Sequence, residues 1–143
     1  MDIILICGIP NAGKTQYSKR FDNVVHYDGL NMTTRQCYEH IIDLAKNTDR
    51  DICIDGMYDE KWRRVELLDA IRDKPCKKIC VWMNTPIDTC LERERNYRKR
   101  PDSLVKHYAK VFEPPTMDEG WNKILEIQGG DIYGSISENI GNA

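Results

Sequence analysis

Four short apolar runs, separated by longer mixed segments, set the pattern of the chain. The runs predict strands at Ile3 to Cys7, Val24 to Tyr27, Ile52 to Ile54 and Lys78 to Met83, with a further strand over about 121–127. The segments between them predict helices over about 14–21, 33–46, 60–73, 87–97 and 102–112. Strands that alternate with helices predict an α/β fold, with a parallel sheet of about five strands covered on both faces.

Composition adds limits on organisation and location. A chain of 143 residues is long enough for one core, so we expect a single domain over residues 1–128 and a loosely ordered, glycine-containing tail over 129–143. We expect no leader and no apolar run long enough to span a bilayer, which favours a cytoplasmic location. The net charge of -2 predicts no general attraction to nucleic acid, so any polyanion must be bound by a local patch.

A glycine-rich motif follows the first predicted strand directly. Residues 8–15 read GIPNAGKT, a full match to the GxxxxGK[ST] pattern of a phosphate-binding loop before a helix. Backbone N–H groups of this loop would bind phosphates, Lys14 would reach the terminal phosphates, and the Thr15 hydroxyl would hold Mg²⁺. The sequence therefore predicts an ATP and Mg²⁺ site, whose nucleotide-binding residues are Gly8, Pro10, Asn11, Ala12, Gly13, Lys14 and Thr15.

Two aspartates follow predicted strands at the same edge of the sheet. Asp28 ends the second strand, and its carboxylate could orient an attacking hydroxyl, or it could simply cap the turn with Gly29. Asp55 ends the third strand and could bind Mg²⁺ directly or through water, or contact the phosphate acceptor. Because parallel strands present their carboxyl ends on one side, we expect both carboxylates near the glycine-rich loop.

A basic segment lies between the fourth and last predicted strands. Residues 93–110 contain seven basic residues against two acids. A solvated helix face is one interpretation of this run. The segment also spans a helix end and a loop, which favours an arginine-rich lid that closes over the phosphates and excludes water.

Several motifs together resemble the P-loop polynucleotide 5′-hydroxyl kinases, the bacteriophage enzymes and the kinase domain of eukaryotic polynucleotide kinase phosphatases. The resemblance extends to about Ile127. Its motifs are GIPNAGKT, Tyr27-Asp28, Ile54-Asp55 with Arg63-Arg64, Thr85-Pro86, FEPPT at 112–116 and EGW at 119–121. It implies a three-layer P-loop NTPase kinase fold with an arginine-rich lid, and transfer of the ATP γ-phosphate to the 5′-hydroxyl of DNA or RNA.

The resemblance also implies roles for individual residues. Asp28 matches the general base for the 5′-hydroxyl, and Asp55 matches an acid that positions the acceptor. The lid arginines match somewhere among Arg93, Arg95, Arg98 and Arg100, and the first choices are Arg95 and Arg98. The chain departs from the phage pattern at Asn31, where an arginine is expected, and at Met57, where an asparagine is common. Arg35 is the nearest substitute for the missing arginine. No phosphatase domain is expected.

Two other functions remain open from the sequence. The same fold could phosphorylate another hydroxyl, on a small metabolite, an aminoacyl-tRNA or a hydroxymethylated DNA base. A nucleotide-gated binding module, in which ATP orders the lid without phosphoryl transfer, is the second alternative. Both alternatives keep the predicted nucleotide site and differ from the polynucleotide kinase in what happens to the transferred phosphate.

Overall fold

One six-stranded sheet forms the centre of the molecule. The computed structural model describes residues 1–27, 32–56, 58–128 and the backbone of 135–139. The strand order is β2-β3-β1-β4-β5-β6, in which β1 to β5 are parallel and β6 pairs antiparallel with β5. The strands are β1 Ile3–Cys7, β2 Asn23–Tyr27, β3 Ile52–Gly56, β4 Lys78–Asn84, β5 Lys123–Gln128 and β6 Ser135–Asn139.

Helices connect the parallel strands as the alternating pattern predicts. They are α1 Lys14–Ser18, α2 Thr34–Asn47, α3 Lys61–Ala70, α4 Ile87–Arg93 and α5 Asp102–Val111. Thr33 caps α2 in a capping box with Gln36, because each side chain bonds the other residue's backbone N–H. A π-helical turn, Glu94–Arg98, continues α4, and Met117–Glu119 forms a short 3₁₀ turn.

Alternation of side chains along β1 divides the core between the two faces of the sheet. Ile3, Leu5 and Cys7 pack in one buried cluster with residues of α2 and α3. Ile4 and Ile6 point the other way, into a cluster with residues of α4 and α5. The sheet therefore lies between two helical layers, which confirms the predicted three-layer α/β fold.

The parallel register places the ends of β1, β2 and β3 side by side. Asp55 is level with Ile6 of β1 and with His26 of β2. Gly56 lies tight against β2, since a Cβ atom there would be only 2.7 Å from the Tyr27 Cβ. Residues that follow these strands therefore meet at one edge, directly beside the glycine-rich loop.

The structure differs from the sequence prediction in three places. Residues 135–139 form β6, a strand that the loose-tail prediction missed, while 129–134 and 140–143 lie outside the described residues. The predicted helix over 87–97 is α4 followed by the π turn. Asp59, which the predicted helix over 60–73 would place at its cap, lies one position before the cap: α3 begins after Glu60, whose side chain makes no capping bond. Within the described ranges, no helix is long and apolar enough to cross a bilayer.

Candidate active site

Two glycines give the loop at residues 8–13 its shape. Gly13 has φ 107°, a backbone conformation that disfavours other residues. A Cβ atom at Gly8 would be 2.9 Å from the Met83 carbonyl oxygen, so only glycine lets the loop pack this closely on β4. The loop is also held by the Thr85 hydroxyl, which donates to the Ala12 carbonyl at 2.7 Å.

Lys14 and Thr15 follow this loop as the first residues of α1. The Lys14 Nζ donates to the Gly8 carbonyl at 2.7 Å, so the side chain folds back along the loop. The Thr15 hydroxyl donates to Asp55 Oδ2 at 2.9 Å. Burial lowers the pKa of Lys14, while the charges of Asp55 and Asp59 oppose that shift. The predicted phosphate and Mg²⁺ side chains are therefore together at the end of β1 and β3.

His26 is a third partner of this group, and sequence reasoning missed it. Its Nδ1 lies 3.2 Å from Asp55 Oδ2, and its side chain is exposed toward the pocket. The contact follows from the register, because His26 and Asp55 are level in neighbouring parallel strands and point to the same face. The alternation of side chains along the predicted strand indicates which face of the sheet His26 occupies. The sequence does not indicate which residue of β3 lies beside it.

A pocket of about 740 Å³ lies between the glycine-rich loop and the basic segment. One part of its lining consists of the glycine-rich loop with Lys14 and Thr15. Another part, at the ends of β2 and β3, includes Asp55, Gly56 and Asp59. The basic segment lines the pocket from the end of α4 through the π turn to α5, with Arg93, Tyr97, Arg98, Arg100, Leu104 and Tyr108. The basic segment therefore faces the predicted phosphate site across one cavity.

The lid arginines have different environments. Arg98 lines the pocket. Arg95 is not among the described lining residues; it is 61% exposed and donates to Asp102 Oδ2 at 2.6 Å. Of the four candidate lid arginines, Arg93, Arg98 and Arg100 line the pocket, and the role of Arg95 stays a prediction.

Glu94 joins the base of the lid to the glycine-rich loop. Its fully buried carboxylate accepts from the Asn11 side chain at 3.0 Å and from three N–H groups of Arg100. Hydrogen bonds from the Arg100 guanidinium, with that from Asn11, lower the pKa of Glu94 to about 2. Arg93 completes the join by donating to the Asn11 carbonyl at 2.7 Å.

Predicted acceptor residues are only partly described. Asp28, Asn31 and Met57 lie outside the described residues. Arg35 is described, but its side chain is 89% exposed and donates to Glu39 one helical turn away. It is not among the described residues that line the pocket, so the structure does not support its predicted contact with the acceptor.

The FEPPT and EGW motifs support the loop that follows β3. Arg64 is fully buried, and its Nε donates to Glu119 Oε1 at 2.8 Å. The same guanidinium donates to the carbonyls of Tyr58 and Glu113 at 2.9 and 2.8 Å. Burial alone would lower the pKa of Arg64, but the hydrogen bonds that it donates to Glu119 help to raise that pKa above its ordinary value. These motifs thus have a structural role beside the pocket.

The donor set suits a magnesium-bound nucleoside triphosphate. The glycine positions leave the loop backbone open to phosphates, and Lys14 supplies the positive charge. Thr15 and Asp55 offer a hydroxyl and a carboxylate oxygen side by side, the ligand types that Mg²⁺ prefers. The residues that the sequence assigned to nucleotide binding therefore fit that group by their chemistry.

Comparisons with known proteins agree with the fold. No protein-family model matches the chain. Kti12 from Chaetomium thermophilum, solved with ADP-AlF3, is 14% identical with a TM-score of 0.65, covering 92% of this chain and 91% of its own. A gluconokinase from Sinorhizobium meliloti is 12% identical with a TM-score of 0.58, covering 89% and 82%. The tunicamycin resistance protein of Deinococcus radiodurans is 11% identical with a TM-score of 0.56, covering 89% and 86%. At these identities the likeness shows the fold alone, an α/β architecture that the chain shares with these three proteins.

Proposed function

We propose that the protein is an ATP-dependent phosphotransferase that phosphorylates the 5′-hydroxyl end of DNA or RNA. The observation that carries this proposal is the shared pocket, where Lys14 and the Thr15–Asp55 pair face the lid arginines. A site that only stored a nucleotide would not need cationic groups on both sides of the phosphates. Phosphoryl transfer does, because charge spreads over the transferring group in the transition state.

Each residue has a defined part in the transfer. The acceptor oxygen bonds to the γ-phosphorus, the bond from that phosphorus to the β–γ bridging oxygen breaks, and ADP leaves. Lys14 and Arg98 stabilise the charge on the transferring group, and Asp28 takes the proton of the hydroxyl late in the step. Thr15 and Asp55 would hold Mg²⁺, which would supply further charge neutralisation when bound.

The lid favours a nucleic acid end as the acceptor. Tyr97 is 81% exposed beside Arg98, and an exposed ring next to a guanidinium suits contact with a base and its phosphate. The negative net charge of the whole chain does not favour coating of a duplex. A few phosphates near a terminus match this local patch, in agreement with the sequence resemblance.

Labelled ATP tests the proposal directly. Purified protein is incubated with γ-labelled ATP and Mg²⁺, together with DNA and RNA oligonucleotides that carry a 5′-hydroxyl. Transfer of label to the 5′ end is the expected result, and the same oligonucleotides with a 5′-phosphate are the matched control. ATP hydrolysis without label on any oligonucleotide would remove the proposed acceptor. Gluconate and glycerol in parallel reactions report whether a small alcohol is the acceptor instead.

Two variants separate a kinase from a nucleotide-gated binding module. Asp28→Ala should lower kcat by orders of magnitude with little change in ATP affinity, because the carboxylate acts on the acceptor. Lys14→Ala should weaken both ATP binding and turnover, the latter about 100-fold, because it removes a charge from the phosphates. Near-normal turnover of Asp28→Ala would exclude Asp28 as the base.

A further inference from the structure

Asp59 is a buried residue whose carboxylate lines the pocket, with no close partner among residues 1–27, 32–56 and 58–128. The residue is 8% exposed and lines the pocket below the ends of β2 and β3. Among the described residues its carboxylate has no hydrogen-bond donor, and the nearest cation is Arg63, with Nε 3.8 Å from Oδ1. A carboxylate that lies at a pocket without a close partner among the described residues has either a structural role or a ligand to bind.

Two structural explanations do not account for it. Asp59 does not cap α3, since the cap position is Glu60, and the free N–H of Lys61 at the helix start donates to Glu113 Oε1 at 3.4 Å rather than to Asp59. Arg63 does not form a close pair with it, because its guanidinium stacks on Trp62 at 4.6 Å and its Nε is buried without a hydrogen-bond partner. The same Nε is 3.9 Å from Glu60, so it is shared between two acids.

The backbone at Asp59 is nonetheless held firmly. Its carbonyl accepts from the Glu113 N–H at 2.8 Å, and the carbonyl of Tyr58 accepts from buried Arg64 at 2.9 Å. Arg64 is itself fixed by Glu119. The backbone of residues 58–59 is thus held in place, while among the described residues the Asp59 carboxylate has only the distant Arg63 as a partner. Pre-positioned polar groups of this kind are typical of binding sites.

The surroundings define what the carboxylate can bind. Asp59 is close enough to Lys14 that its charge raises the pKa of the ammonium group, against the larger lowering by burial. A ligand group at Asp59 would thus lie next to the predicted terminal phosphate. Another phosphate is disfavoured there by repulsion, whereas a hydroxyl can donate a hydrogen bond to the carboxylate.

We propose that Asp59 binds the phosphate acceptor by accepting a hydrogen bond from one of its hydroxyl groups, beside the phosphoryl group that Lys14 holds. This inference rests on the proposed phosphotransferase function and assigns one side of its acceptor site. It places a hydroxyl-bearing part of the acceptor, rather than one of its phosphates, next to Asp59 near the ends of β2 and β3. The acceptor's phosphates then face the lid arginines.

Asp59→Asn and Glu60→Gln form a matched pair for the test. Each removes one acid beside Arg63 at the start of α3, but only Asp59 lines the pocket. Rates of phosphoryl transfer at saturating ATP are measured for both variants, together with ATP affinity and the Mg²⁺ dependence. The acceptors are the labelled 5′-hydroxyl oligonucleotide, glycerol, gluconate and water, the last as basal ATP hydrolysis.

Asp59→Asn should lower transfer about 10- to 100-fold, the loss expected for a hydrogen bond to a charged group. ATP affinity should change less than about twofold, and Glu60→Gln should transfer at the wild-type rate. Three results would overturn the inference: unchanged transfer in Asp59→Asn, an equal loss in Glu60→Gln, or a loss that excess Mg²⁺ restores. The last result would make Asp59 a metal ligand.

Folding and function can be distinguished in the same experiment. Unfolding midpoints of both variants show whether a rate loss comes from a damaged fold, and Asp59→Ser serves as the second variant if Asn does not fold. Water can also donate an O–H hydrogen bond to Asp59. The Asp59→Asn and Glu60→Gln variants can therefore be compared by their rates of ATP hydrolysis even if no oligonucleotide is labelled. That result would remove the polynucleotide acceptor while the hydrolysis rates still decide the role of Asp59.

Discussion

Two carboxylate–guanidinium pairs flank the pocket, and they differ in exposure. Arg64 and Glu119, which support the loop at Asp59, both have fully buried side chains. Glu94 is also fully buried, but its partner Arg100 is 37% exposed and lines the pocket. One pair therefore belongs to the interior, while the other has one member in the site itself.

The difference indicates different freedom on the two sides of the pocket. Separating Arg64 from Glu119 would leave charges without water, so the acceptor-side loop should keep one geometry. Arg100 can exchange its hydrogen bonds to Glu94 for water or for a phosphate at smaller cost. We infer a fixed acceptor side and an adjustable lid, and the following changes test that contrast.

The largest effect is expected from the interior pair. Arg64→Met leaves Glu119 buried without its cation, which should lower the free energy of unfolding by about 3–5 kcal/mol. Urea denaturation measures this loss. Arg72→Met is the matched control, because Arg72 is 77% exposed and pairs with Asp69 at the surface; it should cost less than about 1 kcal/mol. Similar losses in both variants would contradict the contrast.

A smaller effect is expected within the lid. Arg98→Ala should slow phosphoryl transfer about 10-fold or more, because the side chain faces the pocket. Arg95→Ala, the matched control, should change transfer less than about twofold, since Arg95 is paired with Asp102. The labelled-ATP assay measures both. A larger loss in the Arg95 variant would restore the sequence-based assignment.

The Glu94 pair should be visible in the pH dependence of stability. The hydrogen bonds from Arg100 and Asn11 lower the pKa of the Glu94 carboxyl from an ordinary value of 4.5 to about 2, so folding favours its charged form. This contribution is complete above about pH 4.5 and is lost as the pH falls toward 2. The difference in unfolding free energy between wild type and Glu94→Gln should therefore shrink over that interval. A constant difference would show that the carboxylate gains nothing from Arg100.

The smallest effect is expected outside the pocket. Arg35→Ala removes an exposed pair with Glu39 and should change stability by less than about 0.5 kcal/mol. Transfer should stay at the wild-type rate. An increase in the acceptor KM measured with the labelled oligonucleotide would instead return Arg35 to the acceptor site.

The sequence predicted those residues of the site that belong to a short, continuous sequence motif. Gly8, Gly13, Lys14 and Thr15 are neighbours in sequence, so their motif carries its own geometry. Asp55 was found because it ends an apolar strand. The fold followed similarly from alternating strands and helices, except for β6, whose polar sequence beyond a glycine pair gave little strand signal.

The remaining residues depend on contacts between distant segments. His26 reaches Asp55 through strand register, and Glu94 reaches Asn11 across 83 positions. Asp59 looked like an ordinary helix cap, because its sequence position suits that role. Only the tertiary structure shows that its carboxylate lies at the pocket, with Arg63 at 3.8 Å as its nearest cation among the described residues. Hydrophobic periodicity describes local structure and does not show which distant side chains come into contact.

The tight fit of Gly56 against Tyr27 bears on which sequences can keep this site. Even an alanine methyl group would meet the Tyr27 carbonyl oxygen at 2.9 Å, and backbone cannot move aside as a flexible side chain can. A library randomised at position 56 and selected for folded protein should return glycine almost alone. Divergent homologues should likewise vary in their lids long before they vary here.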